Sequence, residues 1–366
     1  MTVLGFAPRA VALAFTASLV ACDHATPYRI GIALDRLGTE GATLAANKVN
    51  AQGGINGHPL ELSNVEGAGG TNARLALRTA ERLAADPGIL AVVGHTNSGT
   101  SLTASQVYNA RHVLQIAPTA TAALYGRAGP YSMRLVASDV HQASYLADHV
   151  LAIRPRPRVA VMFVNNDYGR PLHGMVVERL RAGGVTPAYD APFDGADMRS
   201  GADLLASLIR ARPTLLIWIG RDAAFTQLSQ GLRDSLPALT VFASDGFGGE
   251  RVPKDTLHRY DAVQYVRLVN IERADTALQR VRAAVRRAGH GELSDQAVLS
   301  HDAVMLLAEA IRAAGPKREA IRDWVARIGR DLPAFPGLSG PIAFEADGDR
   351  APQYFLVRAD RKEEFE

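Results

Sequence analysis

Val92–Thr121 reads VVGHTNSGTSLTASQVYNARHVLQIAPTAT, and this stretch decides the fold. An apolar run, Ile89 to Val93, enters a turn rich in Gly, Asn and Ser, Gly94 to Gly99. A predicted helix follows, roughly Thr100 to Ala110, then a short apolar run, Val113 to Ala117, and a second hydroxyl turn, Pro118-Thr119-Ala120-Thr121. Strand, helix and strand at this spacing make a βαβ unit with parallel strands. Both hydroxyl turns then fall at strand carboxyl ends, the edge where ligands bind in open α/β sheets. The first turn, which contains Asn97, also opens a helix whose free N–H groups favour an anion. Ser98 and Thr121 add hydroxyl donors, so the stretch is a candidate carboxylate cradle. Taken alone, it has a plainer alternative: Ser98 caps the helix and Thr121 lies in a solvated turn.

The chain has 366 residues, 47% hydrophobic and 21% charged, enough for two domains with full cores. A formal net charge of only +3, with no Lys/Arg block, gives no nucleic-acid surface. The N-terminus reads differently. The apolar run Ala10 to Val20 is too short for a bilayer span and reads as the core of a secretory signal, excluded from the fold. It ends Leu19-Val20-Ala21-Cys22, which resembles the lipobox of bacterial lipoproteins and implies lipidation at Cys22. The alternative is a plain cleaved signal with an incidental cysteine. Cys22 is the single cysteine, so no intramolecular disulfide can form.

From Tyr28 the chain alternates. Strand Tyr28 to Leu34, a short loop Asp35 to Gly38, helix Thr39 to Asn50, strand His58 to Val65 and helix Ala73 to Ala85 lead into the opening stretch. Glu66 to Gly70 lacks the full glycine spacing of a dinucleotide fingerprint and reads as a polar loop. After a looser stretch, Ala122 to Arg134, and a helix from Val140 to Ile153, a second series starts at strand Val159 to Val164. Its members are helix Leu172 to Arg181, strand Thr186 to Phe193, helix Ala202 to Ala211, strand Thr214 to Gly220, helix Ala223 to Leu232 and strand Leu239 to Ser244. Strand Ala262 to Val269, helices Asp275 to Ala288, Asp295 to Ala314 and Lys317 to Gly329, and strands Pro341 to Phe344 and Tyr354 to Val357 close the chain. A boundary near Ser138 separates two α/β blocks, each expected to be a doubly wound, Rossmann-like lobe.

In this order, VNAQGGINGHPLEL (49–62), VVGHTNSGTS (92–101), IAPTAT (116–121), GPYSMRLVASD (129–139), RVAVMFVNNDYGR (158–170), ASDGF (243–247), HDAVMLLAEAI (301–311) and GPIAFEADGDR (340–350) resemble the leucine/isoleucine/valine-binding family of bacterial solute-binding proteins. The resemblance covers nearly all of Tyr28 to Arg358. It implies a type I periplasmic-binding fold with a three-segment hinge, with lobe 1 at 28–138 plus 268–350 and lobe 2 at 139–267 plus 351–366. Residues 1–21 are then a lipoprotein signal peptide and 22–27 a tether. It further implies a secreted protein, lipid-anchored at Cys22 on the periplasmic or extracellular face of the cytoplasmic membrane, that delivers an amino acid or related carboxylate to an ABC permease and ATPase. The family's site residues carry over to Ser98 and Thr121 for the ligand carboxylate, a backbone contact at Thr119, Tyr168 in the D-Y-G turn, and Asp245 for the ligand ammonium. Asp139 is implied as a hinge or site-edge residue.

Two departures alter the part of the pocket that meets the ligand's side chain. The usual long loop after the first strand is reduced to Asp35-Arg36-Leu37-Gly38, and Gly220-Arg221-Asp222 stands where many members carry aromatics. Arg221, with Arg36, either pairs a second anion on the ligand or is a solvated rim residue. Asp245 alone suits a Ser-Asp-Gly turn equally well, and Tyr168 a core-edge ring. No G-x-S-x-G, H-E-x-x-H or P-loop motif suggests catalysis, and neither a cofactor nor a metal is called for. The rival reading is a sensing module of the same fold that hands its closed state to a signalling or regulatory partner; a secreted hydrolase is a distant third.

Overall fold

The computed structural model describes residues 25–65, 67–194, 201–247, 263–271, 273–287 and 293–358; Cys22 and the signal reading lie outside them. Two parallel sheets organise these residues. The first has the order β2-β1-β3-β4-β5, built from Leu60–Asn64, Tyr28–Ala33, Ile89–Gly94, Leu114–Ala117 and Ser132–Arg134. The second has the order β13-β10-β9-β8-β6-β7, built from Phe355–Arg358, Val263–Arg267, Thr240–Ala243, Leu215–Ile219, Val159–Val164 and Tyr189–Phe193, with β13 its one antiparallel member. A small ribbon joins β11 (Phe335–Gly337) to β12 (Gly340–Ile342).

The helices lie on both faces of each sheet, which explains why the central strands are apolar along their whole length rather than alternating. All six residues of β3 and all six of β6 are buried. On the first sheet, Leu90, Ala91 and Val93 join one core with α1 (Arg36–Ala51) and α9 (Asp295–Ala314), while Ile89 and Val92 join another with α2 (Ala73–Ala85) and α3 (Ser98–Ala110). The second sheet likewise divides its side chains between two cores. The faces are packed by α4 (Asp139–Ala152) and α5 (Gly169–Ala182), and by α6 (Gly201–Ala211) and α7 (Asp222–Ser235). The chain passes between the sheets near 135–139, 268–271 and 343–354.

Several local expectations shift. Residues Arg36 to Gly38 are not loop: Asp35 accepts from Gly38 N at 3.1 Å and caps α1 one turn earlier. Similarly, α3 begins at Ser98, two residues before the periodicity suggested, because Ser and Gly tolerate a helix start that carries no apolar signal. The stretch Ala122 to Arg134 holds a 3-10 turn, Ala123–Arg127, and the edge strand β5. Strand β7 starts at Tyr189, not Thr186.

Helices α1 and α9 (together with α8, Thr276–Arg287, and α10, Arg318–Ala326) complete the first lobe. Gly41 sits where α1 meets α9: an added Cβ would lie 2.0 Å from the Ala297 carbonyl oxygen. Gly41→Leu is therefore expected to destabilise the protein by about 3 kcal/mol or more, since a helix backbone must move. Urea unfolding checks it, and a loss under about 1 kcal/mol would show that the helices slide apart freely.

Candidate functional site

Every residue singled out from the sequence as a ligand contact stands just past the carboxyl end of a parallel strand. Asn97 and Ser98 follow β3, Thr119 and Thr121 follow β4, Tyr168 follows β6, Arg221 follows β8 and Asp245 follows β9. The order reverses at β1/β3 in one sheet and at β6/β8 in the other, the switch points where α/β sheets leave room for a ligand.

Backbone anchoring shapes the first wall. Gln115 donates from Nε2 to the Gly94 carbonyl at 2.9 Å, and Ser101 Oγ donates to the His95 carbonyl at 2.9 Å. Asn97 occupies the N-cap position of α3 without a side-chain cap bond, so the helix's first N–H groups are not taken by it. Ser98 is buried and its Oγ accepts from Ala122 N at 3.2 Å, leaving its own proton available. Thr119 instead donates to the Thr96 carbonyl at 2.8 Å, which ties the two turns together. Behind Thr121, Arg134 reaches the carbonyls on either side of it, donating from Nη1 to Ala120 at 3.1 Å and Ala122 at 2.8 Å. Its Nε and Nη2 grip both carboxylate oxygens of Asp349, and both residues are buried.

The second wall is acidic. Asp139, at the start of α4, is fully buried and donates its backbone N–H to the Thr121 carbonyl at 2.8 Å. Gln142, which sequence reasoning missed, donates from Nε2 to Asp139 Oδ1 at 2.9 Å and to Asp245 Oδ1 at 2.8 Å. Its Oε1 accepts from Asp245 N at 2.9 Å. Tyr168 Oη lies 2.6 Å from Asp245 Oδ1 and 2.8 Å from Ser244 Oγ. Only the Asp139-x-x-Gln142 spacing on one helix face hints at this in the sequence; the partner Asp245 is 103 residues away.

Burial, and then the Asp245 carboxylate, hold Asp139 well above the usual carboxylate range. Burial also raises Asp245, against hydrogen bonds from Tyr168 and Gln142 and the nearby Arg221. Burial, then the two carboxylates, push the Tyr168 phenol up. The Thr121 hydroxyl and Asp139 Oδ2 are buried and make no hydrogen bond of good geometry, although the Thr121 side chain lies near enough to Asp139 to favour its charged form.

The two lobes touch beside this network. Arg221 Nη2 donates to Asn97 Oδ1 across the crevice. A Cβ on Gly99 would come within 3.1 Å of Asp167 Oδ2 from the other lobe. Arg36 does not join Arg221: it pairs with Glu40 on the exposed side of α1 and lines a separate groove with Asp35, Asn64 and Val65. Among the described residues no cluster of three or more His, Cys, Asp or Glu has metal-binding spacing, and no helix is long and apolar enough to cross a membrane.

His95, beneath the first wall, is fully buried with Tyr108 Oη 3.4 Å from its Nε2. Burial lowers it from 6.5 to about 4, a backbone bond to Ala68 opposing. As the pH falls through 6.5 the unfolded chain therefore takes up a proton that the folded chain refuses until about 4. Stability should fall by about 3 kcal/mol across that window and then level off. Denaturation at a series of pH values checks it, and His95→Gln should flatten the slope.

A family model described as periplasmic binding protein matches residues 31–364. The Leu/Ile/Val-binding protein homolog 1 of Brucella abortus (strain 2308) is 26% identical over 330 residues, covering 88% of this chain and 85% of that protein. The crystal structure of an ABC transporter substrate-binding protein from Desulfitobacterium hafniense in complex with Leu superposes with a TM-score of 0.74 at 22% identity, over 92% of this chain and 98% of that one. A solute-binding protein of an ABC transporter from R. palustris, in complex with benzoate, reaches 0.77 at 16% identity over 90% and 92%.

Proposed function

The chain belongs to the periplasmic binding protein family, and on that premise we propose that it traps a free α-amino acid between its lobes and delivers it to an ABC permease and ATPase. The family places it outside the cytoplasm; Cys22 would tether it there through lipid, by more than one acyl chain if the hold is to be firm. Its role is capture, not catalysis. Residues 28–138 with 268–350 form the lobe that holds the carboxylate, and 139–267 with 351–366 the lobe that holds the ammonium.

The observation that carries this reading is the pair of buried atoms without a hydrogen bond of good geometry, the Thr121 hydroxyl and Asp139 Oδ2. The hydroxyl can donate to the ligand carboxylate and Asp139 Oδ2 accept from the ammonium when the ligand replaces the interaction by which Thr121 now favours the charged Asp139. Ser98 and the α3 N-terminus complete the anion side. Asp245 and Tyr168 complete the cation side. Because the two halves stand on different lobes, full pairing exists only when the crevice is shut, so binding favours closure. A benzoate-like acid would bring no cation to Asp245 and Asp139 and would place a further anion beside them. With Arg221 held by Asn97, the side-chain pocket has no free cation from Arg221 for a second acid, which favours a neutral ligand; the names of the relatives point to leucine, isoleucine or valine.

A thermal-shift and calorimetry panel of the proteinogenic L-amino acids plus benzoate tests this. At least one neutral amino acid should raise the melting temperature and bind with a Kd in the micromolar range or below, and benzoate should not. No response to any amino acid would reject the proposal.

A further inference from the structure

Asp139 and Asp245 accept hydrogen bonds from the same amide nitrogen of Gln142, at 2.9 and 2.8 Å, so their Oδ1 atoms stand less than about 6 Å apart. The charged and titratable groups facing them can be named from each packed element. Asp139 meets Thr121 from the loop after β4, Arg134 from β5, Tyr168 ahead of α5, Tyr354 ahead of β13, and Asp245 itself. Arg134 is saturated by Asp349 and by two carbonyls. Asp245 meets Tyr168, Arg221 and, further off, Asp295. Among these groups two cations favour the charged pair, Arg134 acting on Asp139 and Arg221 on Asp245, and neither donates a hydrogen bond to them. Two ionised carboxylates at this distance, one of them fully buried, repel each other with little solvent to screen them.

Resting on the amino-acid reading above, we propose that Asp139 carries a proton in the ligand-free crevice and releases it to solvent when the ligand's ammonium arrives, so that capture exchanges one proton for one cationic nitrogen. Asp139 is the proton's holder rather than Asp245 because it is fully buried and its Oδ2 makes no hydrogen bond of good geometry, whereas Asp245 is only half-buried and has the phenol as well as the shared amide and Arg221. The ammonium takes the proton's place beside Asp139, so that carboxylate keeps a counter-charge; the ligand carboxylate enters as the one added anion and is met by Ser98, Thr121 and the α3 N-terminus, and the proton leaves to solvent. The bound state then holds fewer protons than the free state. Affinity must rise with pH until the free protein loses the Asp139 proton by itself. It follows that the site discriminates by charge at nitrogen, with the buried acid giving an uncharged isostere nothing to exchange for.

The test is isothermal calorimetry with the tightest binder of the L-amino-acid panel, at mildly acidic pH, in two buffers of different ionisation enthalpy. Approaching one proton released per ligand, and close to tenfold tighter binding per pH unit, is expected. Asp139→Asn should bind with no proton release and no such slope. Difference infrared spectra of the ligand-free protein supply a readout that needs no ligand and survives a poorly folding variant: a protonated carboxyl band should be present and should vanish in Asp139→Asn. Normal amino-acid binding with no proton released overturns this inference and leaves the amino-acid reading standing. Proton release that persists in Asp139→Asn overturns the assignment to Asp139. Failure of every amino acid to bind removes the functional reading itself.

Discussion

Asp245→Ala is expected to weaken amino-acid binding by about a hundredfold or more. On the proposed reading the ligand ammonium faces Asp245 and Asp139, and breaking a buried charge pair costs about 3–5 kcal/mol, which is a factor of roughly 150 to 4,000 in Kd. Removal of the side chain also takes one acceptor from the Tyr168 hydroxyl and one from Gln142 Nε2, which keep Ser244 Oγ and Asp139 Oδ1. The ligand-free protein should lose little, because the Tyr168 hydroxyl and the Gln142 amide each keep a hydrogen bond. Calorimetric titration of wild type and variant with the same amino acid decides the matter. Affinity within threefold of wild type would remove Asp245 from the ammonium site.

Arg134→Ala should cost about 3–5 kcal/mol of folding stability. The guanidinium is fully buried, and its loss leaves the Asp349 carboxylate and the Ala120 carbonyl without their donor, while the Ala122 carbonyl keeps the Tyr125 N–H. The consequence reaches the site: those two carbonyls flank Thr121, so ligand affinity should also fall where folded variant can be isolated. Asp349→Ala should destabilise by a comparable amount, and the double variant by clearly less than the sum, since each single change strands the other partner. Urea unfolding of the three variants measures this; strictly additive losses would show that the pair is not coupled.

The parallel sheets were legible because their strands are short, apolar and separated by helices of ordinary length. The same reading placed Ser98, Thr121, Tyr168 and Asp245 at strand ends; Tyr168, Asp245 and Asp139 share hydrogen bonds through Gln142, Thr121 joins through its carbonyl to Asp139 N, and Ser98 bonds Ala122 N beside them. What sequence could not convey is how side chains meet across a hundred residues. Gln142 looked like an ordinary helical residue until its two carboxylate partners were in place. Arg134 sat in a stretch without periodicity, and only its contact with Asp349, 215 residues on, explains it. The link between Arg36 and Arg221 fails for a local reason: Asp35 starts the helix early, and Arg36 turns to Glu40 four residues along. Helix starts at Arg36 and Ser98 were misplaced because the first turn of a helix need carry no apolar residue.

A crystal structure of the complex with the tightest amino acid of the panel tests the central claim most directly. The ligand carboxylate should lie within hydrogen-bond distance of the Ser98 and Thr121 hydroxyls, and its nitrogen within reach of Asp139 and Asp245. A ligand bound the other way round, or seated in the groove between Asp35 and Asn64 instead of between the lobes, would contradict it.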